Sequence, residues 1–173
     1  TFASDKKTIS LAYIEYPPYY GESLPNHGPI GELITRAFTL AGYEIKREQM
    51  PWSRALKWTQ EGRYDAIYTA WFRQEREEHF IFSKPLPSNE LVLFKHKELN
   101  FNYTGLDSLK PFRIGVLRGY ALPPGSDDKV LTLDIANTAM QSLSKLAANR
   151  VALVIMDRAV GRHIIKHKLP QYI

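Results

Sequence analysis

Two histidines four residues apart, His163 and His167, have the spacing of two metal ligands on one helix face. No third ligand and no Glu general base completes a known metal pattern, so the pair reads as part of a solvated helix face and no metal is expected. With zero cysteines there is no thiolate metal site, no Cys nucleophile and no disulfide framework. Gly-x-Ser-x-Gly, the Walker loop and the full Gly-x-Gly-x-x-Gly are all absent, and Gly115 to Gly119 lacks the dinucleotide spacing. Nucleophilic hydrolysis and nucleotide binding are therefore without support, and neither a catalytic residue nor a cofactor is expected. Arg73 and Arg76 stand in the run Arg73-Gln74-Glu75-Arg76-Glu77-Glu78, which by itself reads as a solvated charged face. Asp157 closes a buried apolar strand, where a carboxylate is costly without a partner, and an N-cap on the helix beginning at Arg158 would supply one. Trp52 heads the helical face Trp52, Ala55, Leu56, whereas Tyr16 stands on a proline loop and Thr69 at the end of a strand.

The elements that must position these residues follow from periodicity. Residues 8–14 read as a strand running into Tyr16-Pro17-Pro18-Tyr19-Tyr20-Gly21, where two prolines forbid helix and inner strand and leave a rigid aromatic loop. Ile30, Leu33, Ile34, Ala37, Phe38 and Ala41 form a helical face that Gly42 ends. Residues 43–49 alternate as a strand, Pro51 opens a second helix that stops at Gly62, and residues 65–71 supply a third strand. Strand, helix, strand, helix, strand argues for an α/β architecture with a largely parallel sheet, whose ligands sit at the C-terminal strand ends. From Ser83 to Ser88 the chain is broken by prolines, and a lobe crossover is placed at 84–92, giving lobes 1–88 and 89–173. In the second lobe, residues 91–95 and 113–117 read as strands, 135–148 as a helix with the stripe Ile135, Ala139, Leu143, Leu146, Ala147, and 151–156 as a buried strand. The stretches 60–67 and 147–154 both read helix end, tight turn, Arg, buried strand, an echo that favours two small α/β lobes over one sheet.

The 173 residues are 44% hydrophobic and 24% charged, which excludes disorder, collagen and coiled coil as whole-chain descriptions. No apolar run approaches the roughly 20 residues of a spanning helix. The start Thr1-Phe2-Ala3-Ser4-Asp5 lacks signal-peptide features, so a leader is either absent or already removed. The net charge of +5 suits acidic partners, but charges alternate in sign along most of the chain without the basic stripe and interleaved aromatics of a nucleic-acid surface.

In Tyr16-Pro17-Pro18-Tyr19, Gly31-Glu32-Leu33, 61–67, Glu75-Arg76, Phe82-Ser83-Lys84-Pro85, 115–120 and 149–157, taken in order, the chain resembles the bacterial family 3 solute-binding proteins, the polar amino-acid receptors of ABC importers. The resemblance covers nearly the whole chain. It implies the type II periplasmic-binding-protein fold: two α/β lobes that close by a hinge over a ligand in the cleft between them. It also implies export to the periplasm with the signal peptide removed, a monomer, ABC importer membrane subunits as partners, and no enzymatic activity. A family chain normally returns to the first lobe, and an end at Ile173 leaves that returning strand and the terminal helices missing.

The resemblance also implies residue roles. Arg76 grips the ligand's α-carboxylate, a task for which the planar guanidinium offers two parallel hydrogen bonds. Asp157 meets the ligand's ammonium, Tyr16 and Trp52 sandwich its side chain, and Thr69 offers its carbonyl and hydroxyl. Gly119 and Tyr120 belong to the second-lobe turn whose amides complete the carboxylate cradle. Two departures stand out: Arg73 replaces the usual threonine, an extra positive charge that favours a second acidic group on the ligand, and Tyr120 and Ala121 replace small hydroxyl residues. A ligand-sensing input domain of a membrane receptor, or a cyclohexadienyl-dehydratase-like enzyme, is the alternative on the same fold.

Overall fold

The computed structural model describes residues 7–86, 89–126 and 129–172. Contacts divide the chain into two compact units, Thr1–Lys84 and Pro85–Ile173. The boundary expected at residue 88 falls on residues 87 and 88, outside those described.

Unit 1 contains β1 (Lys7–Tyr13), α1 (Gly28–Leu40), β2 (Tyr43–Gln49), α2 (Trp52–Gln60) and β3 (Ala66–Tyr68). The strands lie in the order β2-β1-β3, and both pairings are parallel. Each helix crossover returns the chain to the N-terminal end of the sheet, so all three strands point the same way. One sheet face is covered by α2, whose Ala55 is buried with Ala12 and Met50 and flanked by Trp58, Tyr64 and Ile67. On the other face Tyr13 and Tyr68 stack in register at 5.1 Å. The third strand is shorter than its alternation predicts, because β3 pairs only with the last three residues of β1. The stripe predicted for α1 is real but half open: Leu33 is 46% exposed, because α1 rests chiefly on the edge strand β2, where Arg47 donates to Thr35, rather than over the centre of the sheet.

Unit 2 contains β4 (Leu91–Lys95), β5 (Arg113–Leu117), β6 (Thr132–Ala136), α3 (Ala139–Ala147), β7 (Leu153–Asp157) and α4 (Arg158–Lys168). Its order is β4-β7-β5-β6, with β5 parallel to β6 and β7, and β4 antiparallel to β7. One correction concerns 132–136, a strand rather than the approach to a helix. Ile135 therefore faces out from β6 at 46% exposure and is not part of the α3 stripe. The physical reason is the cap at Thr138, whose hydroxyl accepts the Gln141 N–H at 3.1 Å and starts the helix three residues after Ile135.

The echo between 60–67 and 147–154 is geometric. Gly62 (φ 75°) and Asn149 (φ 53°) end α2 and α3 in the left-handed region. The next N–H then reaches back five residues, Arg63 to the Trp58 carbonyl at 2.9 Å and Arg150 to the Lys145 carbonyl at 2.8 Å. These are two Schellman turns, each feeding a strand.

Asp134 of β6 ties this unit together. It accepts from Arg113 of β5 at 2.9 and 3.0 Å and from Lys145 of α3. The Lys145 hydrogen bond, opposed by burial and helped by Arg113, holds its carboxyl below the ordinary value. A carboxylate with a depressed folded pKa stabilises the fold above its unfolded pKa and loses that contribution as pH falls through the folded one. Both partners are water-exposed enough to be screened, so Asp134→Asn should cost about 1–2 kcal/mol at pH 7. The difference between variant and wild type should begin to narrow below about pH 4 and close only as pH falls through the lowered folded value. Urea denaturation in steps from pH 7 downward checks this, and a gap that does not narrow at all as the pH falls through the carboxylate range would assign the loss to shape rather than charge.

Candidate functional site

The parallel register of unit 1 sets the ends of its strands level, with Tyr13 beside both Gln49 and Tyr68. Three residues beyond β1 comes Tyr16, three beyond β2 comes Trp52, and directly after β3 comes Thr69. The five unit 1 residues singled out from the sequence therefore lie on connections leaving one sheet edge, its C-terminal edge, where open α/β sheets bind ligands.

Two groups of contacts organise that edge. In the first, Tyr16 forms an isolated bridge with Tyr20 that closes the proline loop, and the Glu15 carboxylate accepts the Glu22 N–H. Tyr16 stacks near Tyr19 (5.9 Å) and Tyr20 (5.6 Å). The Tyr20 hydroxyl lies 3.1 Å from Thr69 Oγ1, while its ring meets Tyr68 edge-on at 5.2 Å. A floor of packed phenols results, rigid because each ring is fixed by the next. Burial, then Glu22, pushes the Tyr13 phenol up, and burial does the same for Tyr68 against the opposing pull of Arg47, so both stay neutral.

The second group is cationic. Arg76 donates through Nη1 to the Trp71 carbonyl at 2.7 Å, and its guanidinium lies 5.6 Å from the Trp52 ring centre. Trp52 is 5% exposed, so the ring is a fixed wall rather than a mobile cover. Arg76 is half-buried, and burial first, then Arg73, pull its pKa below the ordinary value while Glu75 opposes. Arg73 thus lies in the electrostatic neighbourhood of Arg76. The site concentrates positive charge against an aromatic wall, an arrangement suited to a carboxylate.

In unit 2, β5 and β7 are parallel and end at the same edge with Leu117 and Asp157. The Tyr120 N–H bonds the Leu117 carbonyl at 3.1 Å with Gly119 at φ 73°, a type II turn whose third residue requires glycine. Asp157 is fully buried and caps α4, its Oδ1 accepting the Val160 N–H at 2.8 Å. That is the capping role read from the sequence. Tyr20 and Trp71 were not singled out by sequence. Tyr20 lies in the Tyr-Pro-Pro-Tyr-Tyr loop, a signal that could have found it, whereas Trp71 acts through a backbone carbonyl and leaves no signature. His163 and His167 do meet on α4, their ring centres 4.5 Å apart. Among the described residues no group of three His, Cys, Asp or Glu side chains could hold a metal, and no helix is long and apolar enough to cross a membrane. A depression of about 320 Å³ lined by His96, Arg113, Asn149 and Arg150 lies at the opposite sheet edge from Gly119 and Asp157.

Two α/β units, each presenting polar and aromatic groups at the C-terminal ends of its parallel strands, define a type II periplasmic binding fold. Residues 12–153 match the bacterial extracellular solute-binding proteins, family 3, and the chain belongs to that family. Solved structures agree on the fold. The arginine-bound form of truncated ArgBP from T. maritima is 18% identical with a TM-score of 0.79, the match covering 94% of this chain and 79% of that one. An ancestral arginine-binding protein bound to arginine is 19% identical with a TM-score of 0.78, covering 95% and 76%. AbpA of Streptococcus pneumoniae, an amino acid ABC transporter substrate-binding protein bound to L-arginine, is 20% identical with a TM-score of 0.79, covering 95% and 73%. No curated protein sequence matches the chain.

Proposed function

We propose that this chain is a non-enzymatic extracytoplasmic receptor that captures a small carboxylate-bearing ligand, an amino acid or a close relative, and delivers it to an ABC importer. The observation that carries this reading is Arg76, half-buried against the Trp52 face at the C-terminal edge of the unit 1 sheet with Arg73 beside it. In the reading, Arg76 holds the ligand's carboxylate, Tyr16 and Trp52 flank its side chain and Thr69 meets its ammonium. Unit 2 contributes the Gly119–Tyr120 turn and Asp157, so the ligand stabilises a closed state that brings both sets together.

Arg73 sharpens the ligand class. The relatives above were solved with arginine, whose guanidinium would meet a second like charge here, whereas a second acidic group would be attracted. A ligand that binds only the folded state raises the melting temperature by mass action. Thermal denaturation against amino acids, dicarboxylates and aromatic acids should give larger shifts for acidic amino acids or dicarboxylates than for arginine. Arg73→Thr should reverse that order. Shifts in the wild type that Arg73→Thr leaves unchanged would retain the receptor and reject charge selection, and no shift with any carboxylate would reject the receptor itself.

A further inference from the structure

The chain's net charge is unevenly placed. Unit 1 holds eleven Lys/Arg and eleven Asp/Glu, whereas unit 2 holds 12 and seven, so the whole excess of +5 belongs to unit 2. Within unit 2, α4 carries Arg158, Arg162, Lys166 and Lys168 together with His163 and His167, and no acid. Val160, Gly161 and Ile164 are buried, which turns Arg158, Arg162, Lys166, His167 and Lys168 to the exposed side. Arg158 is paired with Glu90 at 2.9 Å, and among the described residues Arg162, Lys166 and Lys168 form no salt bridge. Like charges at i and i+4 repel. Lys166 and Lys168 gain from the C-terminal end of the helix dipole, but Arg162, in the middle of the helix, does not.

From this geometry we infer that the outer face of α4 docks on an anionic membrane surface. The exposed side of α4 carries no large apolar residue. A protein interface needs a desolvated apolar centre, and this face has none to offer. A bilayer bearing acidic headgroups asks only for accessible cations, each worth about a fivefold gain in binding near the surface. The neutral unit 1 adds no opposing field, so attraction presents unit 2 and its α4 face to the bilayer.

Sedimentation of the whole chain with phosphatidylglycerol-containing vesicles, against pure phosphatidylcholine vesicles, tests this. Binding is expected only to the anionic vesicles and should be lost at about 0.5 M salt, where screening shortens the field. R162E/K166E/K168E should weaken it by about 100-fold or more, and the milder R162Q/K166Q by about 25-fold with an unchanged melting temperature. Equal binding to both vesicle types, or anionic binding untouched by either variant, overturns the assignment. So does capture by double-stranded DNA without capture by vesicles. The ligand-binding result does not enter this test, so either reading can fail alone.

Discussion

On the proposed reading, Arg76→Ala should remove most of the ligand affinity. The guanidinium is already partly desolvated, lies over Trp52 and is oriented by the Trp71 carbonyl, so it meets an incoming carboxylate without first having to find its geometry. Truncating one partner of a buried, hydrogen-bonded charge pair costs about 2–5 kcal/mol, or about 30-fold to several thousand-fold in Kd. Titration calorimetry with the ligand giving the largest thermal shift reads this directly. Arg76→Lys keeps the charge and loses the planar fork, and should fall between wild type and alanine. A Kd unchanged in Arg76→Ala would remove the residue from the site.

Gly161→Ala lowers stability despite making a better helix. Alanine gains about 1 kcal/mol of propensity over glycine inside α4. Against this, a methyl at Gly161 would overlap the ring atoms of Phe94 on β4, so the glycine is what lets the helix lie against that strand. Overpacking of this kind costs about 1–3 kcal/mol, and after the propensity gain we expect a net loss of up to about 2 kcal/mol in urea denaturation. Phe94→Leu in the same chain should return most of it, since the shorter side chain vacates the space. A stabilised Gly161→Ala would show that the Phe94 ring swings aside at little cost.

Much of this architecture was legible in residue order. The strands 43–49, 91–95 and 113–117 have the bounds read from the sequence. The strand 132–136 was hidden because Ile135 sits four residues before Ala139 and so mimics helical spacing. The Thr138-x-x-Gln141 cap was the signal that separates them. Arg73, Arg76 and Asp157 stand out in the sequence because charge at the end of an apolar strand or within an ordered motif is conspicuous, and their contact with a ligand is the proposal made above. The Tyr20 to Thr69 contact is not readable, since it joins residues 49 apart in sequence through a hydroxyl that any tyrosine carries.

The position of Arg76 over Trp52 has an optical consequence. An indole that is almost wholly shielded from water emits toward the blue, and a cation above its ring shifts and quenches that emission. On the proposed reading, a carboxylate that engages Arg76 would neutralise the charge the indole senses, and Trp52 should then report occupancy through the protein's own fluorescence, with no label attached.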